Sequence, residues 1–306
     1  MHNKFILTPL FCILQVFRVN NSTIPLHFPS KRCILMLNIF DHARLIMDCI
    51  NDYEAVLAFA VNLGEIMLKS GAETYRVEDT ICRILAHHNF DKVDTFVTPT
   101  VVMATIKNKE IPNSTTLTRI KNRSTRMDKI ELINQLSRNY VEEKLSLEEA
   151  VATLKEIDHT PAYSKITIAL ATAFSSAFFS LMFNGGLFEF IFAFFIGFGA
   201  YMVQSHLKSK EIVNYLVLFM VSLFIGSIIA LLSLFVDPIL DLEAIVIGSI
   251  MPLVPGLAFT NGIRDTIGDE LLSGMSRLAE AVFIAVAIAA GIGIPMSVGL
   301  YLGGAL

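Results

Sequence analysis

The sequence predicts a polytopic α-helical membrane protein whose amino-terminal part is a soluble α+β domain, and three observations carry that prediction. The 306 residues are 54% hydrophobic and only 17% charged, with a mean hydropathy of +0.59; ordinary soluble domains are about 45–50% apolar and about 25% charged. The charge is unevenly placed, with 39 Asp, Glu, Lys and Arg in residues 1–165 and 13 in residues 166–306. The charge-poor part also divides into five apolar stretches near the length of about 20 residues that a bilayer core requires. Disordered, collagen-like and disulfide-rich secreted classes are thereby excluded. A net charge of −4 offers no basic field to attract phosphates, so nucleic acid is not an expected partner.

Residues 1–40 read as an amino-terminal extension. Lys4, the apolar run Phe5–Phe17 and Arg18 have the outline of a signal peptide, but no small-residue cleavage site follows. The alternatives are an extension without function, with Met36 or Met47 as the start, or a peripheral anchor. Residues 41–162 read as a cytoplasmic α+β domain. Helical spacing of apolar residues predicts a helix over Tyr53–Lys69, stopped by Ser70–Gly71. Ser70-x-x-Glu73 has the form of a capping box for a second helix, Glu73–His88. The Val-, Thr- and Phe-rich segments Val93–Val97, Thr100–Lys107 and Thr115–Ile120 predict an antiparallel meander with turns at Pro99 and Pro112–Asn113. Helices over Arg126–Lys144 and Leu147–Asp158 follow, the second opened by a capping box at Ser146 and Glu149 and ended at Thr160–Pro161. The four cysteines (Cys12, Cys33, Cys49, Cys82) form no CxxC pair and read as unpaired thiols.

Residues 163–306 read as a five-span transmembrane domain: Ile166–Phe183, Leu187–Val203, Ile212–Val236, Ala244–Phe259 and Leu278–Leu302. Lys165, Lys208, Lys210, Arg264 and Arg277 fall in loops on one side of a five-pass chain. The opposite loops, Asn184–Gly186 and Asp237–Glu243, hold no Lys or Arg. The positive-inside rule then places the amino-terminal domain in the cytoplasm and the carboxyl terminus outside an inner (cell) membrane. Small residues recur every fourth position in Ala169/Ala173/Ala177, Ser222/Gly226/Ala230 and Ala281/Ala285/Ala289/Gly293. Such stripes allow close helix approach, within the bundle or between subunits.

The fourth stretch is the most informative. Pro252 and Pro255 remove two backbone donors and Gly256 adds freedom, so the helix must break there. Freed carbonyls at membrane depth are tolerated only inside protein or beside a wet cavity, and broken helices of this kind hold substrates or ions in transporters. A proline kink serving packing alone is the plainer reading. Asn261, Arg264 and Asp265 follow at once, and strengthen the first. Asp265 is expected in the loop between spans, solvated or paired with Arg264. Glu280, one turn inside the last span, is either a proton-relaying carboxylate or an interfacial one paired with Arg277. No P-loop, GxSxG or HExxH is present. Neither a catalytic constellation, a metal site nor a cofactor is therefore expected, and the function is not read as enzymatic. The polar run Ser70–Glu78 reads as local capping and ion pairing of Glu73 and Glu78 with Arg76.

Two motifs together carry a resemblance. Gly64-x-x-Met67–Leu68-x-Ser70–Gly71–Ala72–Glu73–Thr74-x-Arg76–Val77–Glu78 and Pro252–Leu253–Val254–Pro255–Gly256 with Asn261–Gly262–Ile263–Arg264–Asp265 are similar to the threonine/serine exporter (ThrE) family, in particular its shorter YjjP-type subunit. The resemblance implies an inner-membrane secondary transporter exporting small polar metabolites, threonine or serine, with coupling to protons. It also implies a second, smaller YjjB-type membrane subunit and a lipid bilayer as partners. Succinate or another dicarboxylate is the alternative substrate. A membrane-anchored sensor or enzyme is the alternative of another class. The family supplies no site residues, so Pro252, Pro255, Gly256, Asn261, Arg264, Asp265 and Glu280 are expected on the substrate or ion pathway on physical grounds alone.

Overall fold

The computed structural model describes residues 52–108, 111–210, 212–235 and 240–303. The extension 1–40, the expected domain start at 41, and Cys12, Cys33 and Cys49 lie outside them. A first helix, α1, covers residues 52–69 and buries Val56, Leu57, Ala60, Leu63, Met67 and Leu68, the face its periodicity demanded. It ends in a Schellman turn. Ala72 N donates to Met67 O and Gly71 N to Leu68 O, both at 3.1 Å, while Gly71 takes φ +96°, a conformation that costs a residue without Cβ little.

Helix α2 (Thr74–Ala86) buries Val77, Ile81, Ile84 and Leu85 and packs on β1 (Lys92–Thr98). With β2 (Val101–Asn108) and β3 (Ile111–Arg119) this strand forms an antiparallel meander in the order β1-β2-β3. Pro112 lies within β3 rather than in a turn. An edge strand tolerates the missing N–H. Helices α3 (Met127–Val141) and α4 (Leu147–His159) complete the amino-terminal half. The capping box at Ser146 forms, with Ser146 N donating to the Glu149 carboxylate at 2.9 Å and Glu149 N donating to Ser146 Oγ at 3.3 Å. The one expected at Ser70 does not. Glu73 is the N-cap of α2 without a side-chain cap bond, and Ser70 belongs to the turn behind α1.

The charge-poor half contains α5 (Lys165–Met182), α6 (Leu187–Lys208), α7 (Asn214–Phe235), α8 (Leu242–Ile250), a 3-10 turn (Met251–Leu253), α9 (Gly256–Ile267) and α10 (Leu271–Gly303). Four of these helices are long and apolar enough to cross a membrane. They are five if α8 with its 3-10 turn and α9, bent by 60°, make one span. Among the described residues the protein is thus mostly helical, with one three-stranded sheet. Helix α10 starts at Leu271, ahead of the expected Leu278. Its 33 residues rise about 50 Å, more than the roughly 30 Å of a hydrocarbon core, and its charge-free run begins only after Glu280. Its first turns therefore extend beyond the apolar layer.

Packing fixes the helix directions. Phe174 meets Phe194 and Phe178 meets Phe190, at ring separations of 5.0 and 5.4 Å, so α5 and α6 are antiparallel. Tyr215 lies 6.2 Å from Phe283, Gly226 faces Ile292 and Ala230 faces Gly299, so α7 and α10 are parallel. Small residues set these approaches. A Cβ at Gly226 would stand 2.9 Å from Ile292 Cα, and one at Gly248 would stand 2.6 Å from Ser176 O. Ala169, Ala173 and Ala177 are wholly buried. On α10, by contrast, Ala285, Ala289 and Gly293 face outward. There Ile284, Ile288 and Ile292 pack inward against Leu218, and the small residues that α10 brings to α7 are Gly291 and Gly299 instead.

Candidate functional site

The break in the fourth stretch divides its work between two prolines. Pro252 opens the 3-10 turn and Pro255 is the N-cap of α9. Gly256 N folds back onto Val254 O at 2.8 Å, and the first α-type bond runs from Phe259 N to Pro255 O at 3.0 Å. The amides of Leu257 and Ala258 therefore head the helix without an intrahelical acceptor, at the end where the helix dipole is positive. A cavity of about 250 Å³ opens against this helix start. Its walls are residues 254–258 of the break, Gly71 and residues 123–125 from the amino-terminal half, and Arg277, Glu280 and Ile284 of α10. A larger cleft of about 390 Å³ between α1 and α4 touches neither motif's polar core.

Beside the cavity the two sequence motifs interlock, within the single compact unit Glu54–Leu306. Gly71 O accepts from Asn261 Nδ2 at 3.1 Å, and Ala72 O accepts from Arg277 at 2.8 Å. Glu73 pairs with Arg264 and, at 3.2 Å, with Arg76. Thr74 N donates to Asp265 Oδ1 at 3.3 Å and Thr74 Oγ1 to Asp265 Oδ2 at 3.0 Å. Asp265 is thus the cap of α2, supplied from 191 residues away, and it satisfies a donor that the local sequence leaves open. Arg277 Nε also lies 3.0 Å from Asp265 Oδ2. That N–H is not aimed at the oxygen and has no hydrogen-bond partner, so the contact is an ion pair rather than a directed bond. Asp265 is 0% and Arg277 5% exposed. Removing one member of so buried a pair strands the other charge, which costs about 3–5 kcal/mol. Burial raises the Glu73 pKa, but its own backbone amide, Arg76 and Arg264 together outweigh that and hold it below the ordinary 4.5.

A second ion pair lies among the cavity's lining residues. Arg123, from the segment between β3 and α3, donates to Glu280 Oε2 at 2.7 Å, with side-chain exposures of 31% and 27%. Arg123 is matched by Glu280, and Arg277 by Asp265 just behind the wall. The charged side chains therefore balance, and the positive end of the α9 dipole is left to set the character of the cavity. It suits a carboxylate. Among the described residues no three His, Cys, Asp or Glu side chains converge as a metal cluster would require.

The structure therefore places the expected residues in two groups. Pro255, Gly256 and Glu280 line the cavity, while Asn261, Arg264 and Asp265 belong to the joint. Pro252 shapes the turn and lines no part of the cavity. Three expectations are corrected. Arg264 and Asp265 lie in helix α9, not in a loop, and Asp265 is buried rather than solvated. Glu280 pairs with Arg123, and Arg277 with Asp265 instead, because α10 turns Arg277 inward toward α2. Glu78 accepts from Val97 N at 2.8 Å rather than pairing with Arg76. Sequence reasoning missed Arg123 altogether. It undervalued Thr74, whose motif it had singled out as local capping.

A model of the ThrE family of threonine/serine exporters matches residues 58–299. No curated protein and no solved structure matches the chain.

Proposed function

The chain belongs to the threonine/serine exporter family, and from that premise we propose that the cavity at the broken span holds the exported metabolite during its passage. It is a multi-pass membrane protein of a transporter family. The observation that carries the proposal is the meeting, in one cavity, of an open helix start (the amides of Leu257 and Ala258), the Arg123 guanidinium and the Glu280 carboxylate. At about 250 Å³ the cavity falls below the 300–1,000 Å³ usual for drug-sized ligands, a size that suits threonine or serine. The carboxylate of the solute would bind the α9 amides, as at the half-helices of other transporters, and its ammonium would face Glu280.

The direction of travel and the topology belong to the same proposal. Helices α7 and α10 are parallel, so the chain must recross between them, and α8 with α9 is the stretch available for that crossing. Five crossings result. Lys208, Lys210, Arg264 and Arg277 then share the end bearing the sheet, which supports a cytoplasmic amino-terminal half and an external carboxyl terminus. The outward face of Ala285, Ala289 and Gly293 supports a second, smaller membrane subunit, since small residues allow close helix contact in lipid. Coupling to the proton gradient completes the reading. Cells expressing the chain with that subunit should lower their internal threonine, and a protonophore should abolish the effect. The decisive variant is Gly256→Leu. A Cβ there meets nothing within 4 Å, so the substitution adds bulk at a cavity-lining residue without a clash at its Cβ. Efflux equal to wild type from a folded Gly256→Leu protein would remove the cavity from the pathway.

A further inference from the structure

Two ion pairs sit at the cavity, and their surroundings fit them for different work. Asp265 and Arg277 are enclosed, so parting them would leave a bare charge in a dry place. Arg123 and Glu280 are each nearly one third exposed, so water or a solute can reach both charges when they part. They also join separate parts of the molecule. Arg123 lies on a segment without helix or strand, anchored by Ser124 N to Lys69 O at 2.8 Å and Arg126 N to Ser70 O at 3.0 Å, and Glu280 lies on α10. Both side chains line the cavity, one from each half.

Building on the substrate site proposed above, we propose that Arg123 and Glu280 form an exchange latch that determines specificity, opened by a solute whose carboxylate replaces Glu280 on Arg123 and whose ammonium replaces Arg123 on Glu280. The exchange leaves neither side chain without an opposite charge. One contact between two side chains is traded for two charge-assisted contacts to the solute. Both charges are needed. A dicarboxylate can take Arg123, but it sets a second anion beside Glu280 and leaves that side chain without a cation, a like-charge arrangement that opposes binding. The amides of Leu257 and Ala258 accept any carboxylate and cannot make this distinction. Selectivity therefore resides in Glu280, and affinity for the shared carboxylate in Arg123.

The test is direct binding of L-threonine and of succinate to the full-length chain in detergent, for wild type, Glu280→Gln and Arg123→Gln. Wild type is expected to prefer threonine. Glu280→Gln should lower the threonine-to-succinate affinity ratio about tenfold or more, the equivalent of one lost charge-assisted contact. Arg123→Gln should weaken both ligands and leave their ratio nearer to wild type. A purely structural role would weaken both ligands equally in both variants. Wild-type threonine binding with an unchanged ratio in Glu280→Gln would overturn the latch. A wild type that binds neither ligand would instead overturn the substrate site on which the latch rests.

Discussion

Arg277 and Glu280 are three residues apart on α10, and each pairs with an opposite charge, yet the two pairs occupy different physical regimes. Arg277 meets Asp265 where neither side chain reaches solvent, within a mesh that also engages Ala72 O and Thr74. Glu280 meets Arg123 at a partly open rim. The energetics follow the surroundings. In the first region breaking one partner is expensive, and the pair fastens the sheet-bearing half to the broken span. In the second it is cheap, and the pair can exchange partners. Two Arg–carboxylate pairs rooted three residues apart on α10 therefore divide into a fixed joint and a movable contact, and burial separates them.

The largest effect should come from the joint. Asp265→Ala removes the α2 cap and strands Arg277, so it should destabilise the full-length chain by about 3–5 kcal/mol, read from its unfolding midpoint in detergent. A loss under 1 kcal/mol would mean the joint is not the anchor described here. Next in size is Gly248→Val, which forces side-chain carbon toward Ser176 O and should cost about 1–3 kcal/mol by overpacking. Its threonine-to-succinate selectivity should not move, which separates bundle packing from the cavity. Arg123→Gln should shift stability by no more than about 1 kcal/mol. A larger loss would place the rim pair with the joint and blur the contrast.

The smallest effect concerns Glu73. Its pKa is lower in the fold than its ordinary 4.5, so the unfolded chain binds more protons between those two values. The stability it contributes is present above pH 4.5 and is lost as pH falls through the folded value. Arg264 is about half exposed, so the contribution is modest. Glu73→Gln should be slightly less stable than wild type at pH 7, and the gap should close on acidification below 4.5. A gap that stays constant across that range would show that the Glu73 carboxylate is not held by Arg76 and Arg264.

Much of this architecture was legible from residue pattern alone. Segments rich in Val, Thr and Phe between turn signals gave the three strands, and the Ser146 box gave the start of α4. The apolar runs gave α5, α6 and α7 closely and α10 without its first two turns. The prolines at 252 and 255 placed the break. Long-range partners were not legible, because nothing in Thr74 announces a bond to a residue 191 positions on. Asp265 looked like a solvated loop residue since α9 follows two prolines and carries Asn261, Arg264 and Asp265 on a short apolar background. Its burial depends on α2 and α10 closing over it. Arg123 lies in a basic run of ordinary appearance, residues 121–126, and only the path of that segment past Ser70 brings it to the cavity.

The account turns on whether the space beside Gly256 is wet and visited by the exported solute. Gly256→Cys, in a chain freed of its four native cysteines, tests that directly by labelling with a membrane-impermeant thiol reagent from the face bearing the sheet. The account predicts labelling that L-threonine slows in proportion to its occupancy. A thiol that stays unlabelled in a folded protein, or one labelled at the same rate with and without threonine, would contradict it.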